Sequence, residues 1–412
     1  MPRVSVDWAG YGCGVDPVVN PYAPGAGQRP PELAGRDGEL HRFDVVLERV
    51  ARGRPERSLV LIGLRGVGKT VLLNAFRSAA VRRGWGTGKI EARPGASLRR
   101  PLAAALHQAI RELSGRHKEQ ADEVLGVVKA FAMCSVGAPA KGRTVRDRWQ
   151  PGIDVPAVGG RADSGDIEID LVELFTDVAG LAAAAGKGVA ICIDEMQDLG
   201  TESVSALCGA SHELSQQGLP LLVVGAGLPH VPAVLSASKS YSERLFRYVR
   251  IDRLEREQAD RALLMPAEDE GVTFTEEALA GLYAATDGYP YFVQAYGKTV
   301  WDVATTSPVT AEDVRVAAPQ AETELAVGFF GSRYERATPA EREYMLAMAN
   351  LGDGQADAPV STSDIAISLG RKPQSLSPAR DSLLKKGLVW SGERGQIAFT
   401  VPHFGKYLRS QE

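Results

Sequence analysis

The sequence predicts an α/β fold: a parallel sheet sandwiched by helices, followed by a helical lid and a winged helix-turn-helix. Three observations predict it. A glycine-rich string, Gly63-Leu64-Arg65-Gly66-Val67-Gly68-Lys69-Thr70, stands between an apolar β-type run and a helical stretch. Further short apolar runs alternate with helical patterns up to about residue 254, and then strands stop. From residue 338 the order is helix, short helix, helix and hairpin.

In chain order, residues 1–36 are rich in Gly and Pro and read as an extended arm. Residues 37–254 form the α/β core. Its first helix carries Leu40, Phe43, Val46, Leu47 and Val50 at helical spacing. Strands are expected at Ser58–Ile62, Lys89–Ala92, Gly188–Ile193, Pro220–Val224 and Tyr248–Ile251. Residues 137–165, dense in Gly, Pro, Arg and Asp, read as a flexible insertion. Residues 255–335 are helical throughout and form the lid. Residues 338–412 form the last module.

Composition narrows the function. A chain of 412 residues predicts two or three domains. The formal net charge of -4 supplies no global basic field, so any nucleic-acid contact rests on a local patch. Cys13, Cys134, Cys192 and Cys208 form no C-x-x-C pair, which argues against a zinc or redox motif. Cys208 and His212 lie one turn apart and read as packing residues, because a metal needs more ligands. The start of the chain lacks an apolar signal region, and no run is long enough for a membrane helix. The expected setting is a reducing cytoplasm, with no membrane partner.

The string at residues 63–70 fits G-x-x-x-x-G-K-[ST] without a mismatch. Glycines let backbone approach phosphate oxygens, and successive N–H groups form an anion nest at a helix start. Lys69 supplies a point charge to the β- and γ-phosphates, and Thr70 a hydroxyl ligand to Mg²⁺. Val71 closes the cradle, and Arg65 is expected to face solvent. A Gly-rich turn with a surface lysine is the plainer alternative. Val189-Ala190-Ile191-Cys192-Ile193-Asp194-Glu195 ends an apolar run in two acids. If this strand lay beside the strand before the glycine loop, Asp194 would reach the Mg²⁺ and Glu195 could activate a water. A solvated turn is the alternative. ATP and Mg²⁺ are the implied ligand and cofactor.

With these residues placed, the chain resembles the AAA+/STAND class of P-loop ATPases, in particular bacterial proteins with a replication-initiator-like AAA+ domain. Ala34-Gly35-Arg36-Asp37-Gly38-Glu39-Leu40 resembles the box that flanks the adenine, which makes Arg36 a nucleotide-site residue. Asp194-Glu195-Met196-Gln197-Asp198-Leu199 resembles the Walker B stretch. Thr286-Asp287-Gly288-Tyr289-Pro290 resembles the lid turn that sets a proline, here Pro290, by the nucleotide. Glu243-Arg244-Leu245-Phe246 resembles the stretch offering an arginine finger, a role for Arg244 that would act in trans within an oligomer. The alternative for Arg244 is a solvated helix face. Two departures stand out. Val223-Val224-Gly225-Ala226 lacks the usual polar sensor-1 residue, and Tyr291-Phe292-Val293-Gln294 lacks the sensor-2 arginine. Both point to slow hydrolysis, and a nucleotide-dependent switch is the competing reading.

In the last module, residues 371–386 carry five basic residues against one acid. That local excess suits phosphate contacts with duplex DNA. The candidates are Arg371, Lys372, Gln374, Ser375, Ser377, Arg380 and Arg394. Over residues 338–412 the balance is nine basic to eight acidic, so contact with a protein partner or self-association competes.

Overall fold

The computed structural model describes residues 15–115, 117–134, 152–352, 358–391 and 395–411. Cys13, residues 137–151 of the expected insertion, and Arg394 lie outside the described residues. The chain divides into two compact units.

One unit holds residues 38–63 and 69–251. Helix α1 (Asp37–Ala51) leads into β1 (Ser58–Ile62), α2 (Lys69–Arg82) and β2 (Gly86–Glu91). Then come α3 (Arg99–Leu113), α4 (Lys118–Met133), α5 (Ile167–Ala184) and β3 (Val189–Asp194). Helix α6 (Thr201–Gln217), β4 (Leu221–Gly227), α7 (Val231–Ser238), α8 (Ser242–Leu245) and β5 (Phe246–Arg250) complete it. The strands form one parallel sheet in the order β2-β3-β4-β1-β5. Every residue of β3 and β4 is buried, as expected of strands covered on both faces.

Three expectations change here. Strand β3 is not the neighbour of β1, because β4 lies between them. Strand β2 starts at Gly86, three residues before the expected Lys89. Its first turn-like residues are small because α3 lies on them: a Cβ on Gly88 would stand 2.6 Å from the Cβ of Ala105. Finally, residues 152–165 of the expected flexible insertion are tied down at several points. Ile153 and Ala162 are buried in the core, and the Lys129 ammonium donates to the carbonyls of Ile153 and Val155 at 2.9 and 2.8 Å. The Ser164 amide and hydroxyl donate to Asp170, whose other oxygen pairs with Arg99 at 2.6 Å. A Gly-rich composition marked this segment as loose, but a buried ion pair that needs these donors fixes it.

The other unit holds the arm, residues 64–68 and residues 252–412. Helices α9 (Arg256–Asp269), α10 (Glu276–Thr286), α11 (Pro290–Val303) and α12 (Ala311–Leu325) form the lid. A π-helical turn (Ala326–Gly331) and α13 (Ser332–Glu335) lead out of it. The arm is held against the lid. The Tyr22 hydroxyl donates to the Leu263 carbonyl at 2.6 Å, and the Trp301 indole N–H to the Asp16 carbonyl at 2.9 Å.

The module after the lid runs α14 (Pro339–Leu351), β6 (Val360–Ser361), α15 (Thr362–Ser368), α16 (Pro373–Lys385), β7 (Val389–Trp390), β8 (Gln396–Phe399) and α17 (Phe404–Arg409). Strand β8 pairs antiparallel with both β6 and β7, which gives the expected hairpin and adds a third short strand. Helix α14 starts at a capping box between Thr338 and Glu341. The Lys386 ammonium pairs with Glu341 at 2.7 Å. An aromatic seam ties module to lid. Phe330 stacks on Phe404 and Tyr407, and the His403 ring meets Phe292 edge-on at 5.2 Å.

Candidate active site

Strand β1 ends at Ile62, and α2 begins at Lys69, so the glycine string is the crossing from strand to helix. Gly66 and Gly68 have φ of 84° and 89°. Side-chain-bearing residues rarely take that backbone, which is why the motif needs glycine at both places. The two ends of the motif belong to different units, with the break between Gly68 and Lys69.

In the sheet-bearing unit, the Gly63 amide donates to the Gly227 carbonyl at 3.2 Å, which anchors the start of the motif to β4. At its far end Lys69 and Thr70 open α2. The Thr70 hydroxyl is hydrogen-bonded to the carboxylate of Asp194, the last residue of β3. The two are brought together even though β4 separates their strands. Asp194 is buried, and burial pushes its carboxyl above the usual range. The hydrogen bonds from the Thr70 hydroxyl and the Glu195 amide, the latter at 3.0 Å, work against that rise. A buried carboxylate destabilised in its charged form is a ready partner for a cation.

These residues fit magnesium. The donors are hard oxygens, a hydroxyl and a carboxylate, and magnesium commonly takes few protein ligands with phosphate and water completing its shell. Among the described residues no group of three or more His, Cys, Asp or Glu side chains is placed to hold a metal. The Thr70–Asp194 pair is therefore the candidate.

Glu195 follows in the left-handed region, with φ 52° and ψ 44°. For a residue with a side chain this costs on the order of 1 kcal/mol, and such strain gathers at functional positions. Its carboxylate accepts a hydrogen bond from the Gln197 side-chain amide. The Gln197 carbonyl oxygen in turn accepts from the Leu228 amide at 3.0 Å. Gln197 belongs to the Walker B-like stretch, where the sequence assigns it no separate role. The signals for it are its place in the Walker B-like string and the lack of a polar side chain in Val223-Val224-Gly225-Ala226.

In the other unit, residues 64–68 are enclosed by the arm, the lid and the C-terminal module. Arg36 is buried, and its guanidinium donates to the carbonyls of Val67 at 3.3 Å and Asp252 at 2.5 Å. Arg36 thus grips the backbone of the glycine string. The Tyr291 amide, next to Pro290 at the start of α11, donates to the Gly66 carbonyl at 3.2 Å. A Cβ on Gly66 would stand 3.5 Å from Tyr291 and 3.6 Å from Phe329, whose rings stack with centroids 4.7 Å apart. The expectation that Arg65 faces solvent is corrected. It is half-buried, and its amide donates at 2.9 Å to the carbonyl of Thr400, at the end of β8.

Arg244 is exposed on the short helix α8, immediately before the edge strand β5. The basic run of the last module is largely paired. Arg371 meets Glu343 at 3.1 Å, Arg380 meets Asp381 at 3.0 Å, and Lys386 meets Glu341. Lys372, Gln374 and Ser375 are exposed, and Ser377 is half-buried on α16. No described helix is long and apolar enough to cross a membrane.

Residues 32–224 match the family model described as "AAA ATPase domain". Residues 327–408 match a second model, a domain of unknown function (DUF8462). A search of curated proteins returned no match. Among solved structures, the Walker-type ATPase PABY2304 of Pyrococcus abyssi matches with a TM-score of 0.57 and 17% identity, covering 92% of this chain and 97% of that one. At such identity the likeness is one of fold. The ORC1 protein of Aeropyrum pernix, solved in complex with DNA, gives a TM-score of 0.41 at 18% identity over 92% of this chain and 94% of its own. The RuvB Holliday junction branch migration motor of Thermotoga maritima gives 0.44 at 16% identity over 90% and 96%. Neither of these two carries an argument about function here.

Proposed function

We propose that this chain, an AAA+ ATP hydrolase with its ATPase domain over residues 32–224, uses its nucleotide state to reposition the C-terminal module. The observation that carries this reading is the hydrogen bond from the Arg65 amide to the Thr400 carbonyl. It joins the glycine string directly to the residue that follows β8 of that module. Phe329, in the π-helical turn that begins the module's family match, stands beside Gly66. Such turns recur at functional positions in helices. A change in the string on phosphate binding is then felt at β8 and at residues 326–331 without an intermediary.

The chemistry rests on few groups. The amides of the string and the Lys69 ammonium hold the phosphates. Thr70 and Asp194 would hold magnesium, which supplies charge neutralisation on the phosphate oxygens when bound. Glu195 takes a proton from a water as its oxygen bonds to the γ-phosphorus. The bond from that phosphorus to the bridging oxygen breaks, and ADP leaves with the electron pair. Arg36 and Pro290 shape the string and the lid turn rather than reacting. Arg244, exposed beside the edge strand, is suited to serve a second copy of the chain.

Hydrogen exchange tests the coupling. Mg-ATP should slow exchange in 396–404 and 326–331 as well as in the string itself. Protection confined to 63–70 would overturn it. A slowly hydrolysing switch is the second reading, favoured by a β4 end that bears no polar side chain. It predicts the same protection with ATP remaining intact over hours.

Contact with duplex DNA through α16 is the finer proposal. Lys372 and Lys385 are its leading phosphate contacts, because Arg371, Arg380 and Lys386 already have acidic partners. Affinity should fall steeply with salt. Binding that ignores salt, or is absent at low salt, would leave a protein partner as the occupant of this surface.

A further inference from the structure

We infer that Gln197 is a positioning residue for the hydrolytic step, standing in for the polar side chain that the end of β4 lacks. The inference rests on the proposed role of Glu195 as the water-activating carboxylate. Three features of the sheet-bearing unit carry it.

First, the glycines at the end of β4 are closely covered by the residues that follow β3 and β4. A Cβ on Gly227 would stand 2.8 Å from the Gln197 side-chain oxygen and 2.6 Å from Val231, and one on Gly225 would collide with the sulfur of Met196. The residues after Walker B have moved into the place where a polar residue on β4 would project. Second, the Gln197 amide is oriented from both ends. Its oxygen accepts from the Leu228 amide at 3.0 Å, so its NH₂ faces away from that amide and donates to the Glu195 carboxylate. Leu228 is buried, and its amide is the first after β4. The bridge therefore ties Glu195 to the end of the buried strand β4. Third, Glu195 sits on a left-handed backbone. A side chain mounted on strained backbone needs an external tether to hold one orientation.

A tethered carboxylate is a better base because its attack geometry is set before the water arrives. Loss of the tether should show in turnover and not in ATP affinity, since the tether orients a base and supplies no phosphate ligand.

The test uses the full chain with Mg-ATP. Gln197→Met keeps the bulk and removes both hydrogen bonds. Gln197→Glu keeps the acceptor for the Leu228 amide and removes the donor to Glu195. Both should lower kcat roughly tenfold to a hundredfold while KM stays within about threefold. Glu195→Gln removes the carboxylate on which the tether acts. In that background, Gln197→Met should cause no further loss. The inference is overturned if either single variant turns over like the wild type or faster, if KM rises in step with the fall in kcat, or if the loss persists unchanged beside Glu195→Gln. Faster turnover would make Gln197 a brake. A wild-type chain that binds Mg-ATP without hydrolysing it fails differently, by removing the role of Glu195 itself.

Discussion

The two ends of the glycine string are built on different mechanics. Lys69 and Thr70 open a helix beside a buried sheet, and Thr70 is hydrogen-bonded to Asp194 at a strand end. Residues 64–68 lie in no helix or strand. Their contacts include those from Arg36, the Tyr291 amide and the Thr400 carbonyl, all from segments far away in sequence. One end is suited to chemistry that tolerates little displacement. The other is suited to report a change. Rigid placement and responsiveness are opposed demands, and here they fall on adjacent residues of one motif.

The largest expected effect is at the rigid end. Lys69→Ala should weaken Mg-ATP binding by about a hundredfold or more, since a charge-assisted contact to phosphate is lost without replacement. Calorimetry reads it directly. A loss under tenfold would mean that the amides alone carry the phosphate.

Asp194→Asn sharpens the contrast. Burial raises the Asp194 carboxyl, so its ionised form costs stability once pH exceeds the ordinary carboxylate value, and the full cost is present at neutral pH. The asparagine variant should therefore melt higher than the wild type without nucleotide, yet lose magnesium-dependent ATP binding. A lower melting temperature would contradict the reading of Asp194 as a strained cation ligand.

A smaller effect belongs to the responsive end. Arg36→Ala frees the Val67 carbonyl and should weaken ATP binding by roughly tenfold through a looser string, with kcat at saturation changing less. Equal losses in both would place Arg36 in the chemistry.

The smallest effect is remote from nucleotide. Burial alone would raise the Glu341 carboxyl, but hydrogen bonds from Lys386, Ser382 and the Thr338 amide outweigh it and pull the group down to about 2. A depressed folded value gives stability that is present above the unfolded carboxylate range and is lost as pH falls toward about 2. Lys386→Met should cost roughly 1–3 kcal/mol at neutral pH and flatten that acid dependence. Denaturant melts at several pH values measure both. An unchanged acid limb would separate Glu341 from Lys386.

The same contrast explains what the sequence made legible. Residues 63–70, Asp194 and Glu195 could be read directly, because phosphate and magnesium demand particular residue types at fixed spacing. Strands β3 and β4 were legible as apolar runs, whereas their order was not, since periodicity says nothing about which strand lies beside which. Two of the contacts on residues 64–68 are made by backbone groups of Tyr291 and Thr400, and a backbone amide or carbonyl leaves no trace in composition. Residues 152–165 carry no helix or strand, in keeping with their composition, but the donation from Ser164 to Asp170 beside Arg99 leaves no trace in composition. The basic run at 371–386 was visible as charge, and its acidic partners on α14 were not, because Glu341 and Glu343 are distant in sequence.

The measurement that bears most directly on the account is ATP turnover by the wild-type chain and by Glu195→Gln, with bound nucleotide analysed after a long incubation with magnesium. The account predicts that the wild type releases ADP and phosphate, while the variant retains unhydrolysed ATP at near wild-type affinity, with a rate lowered by about a hundredfold or more. Equal turnover by the two proteins, or no uptake of Mg-ATP by folded wild-type protein, would contradict it.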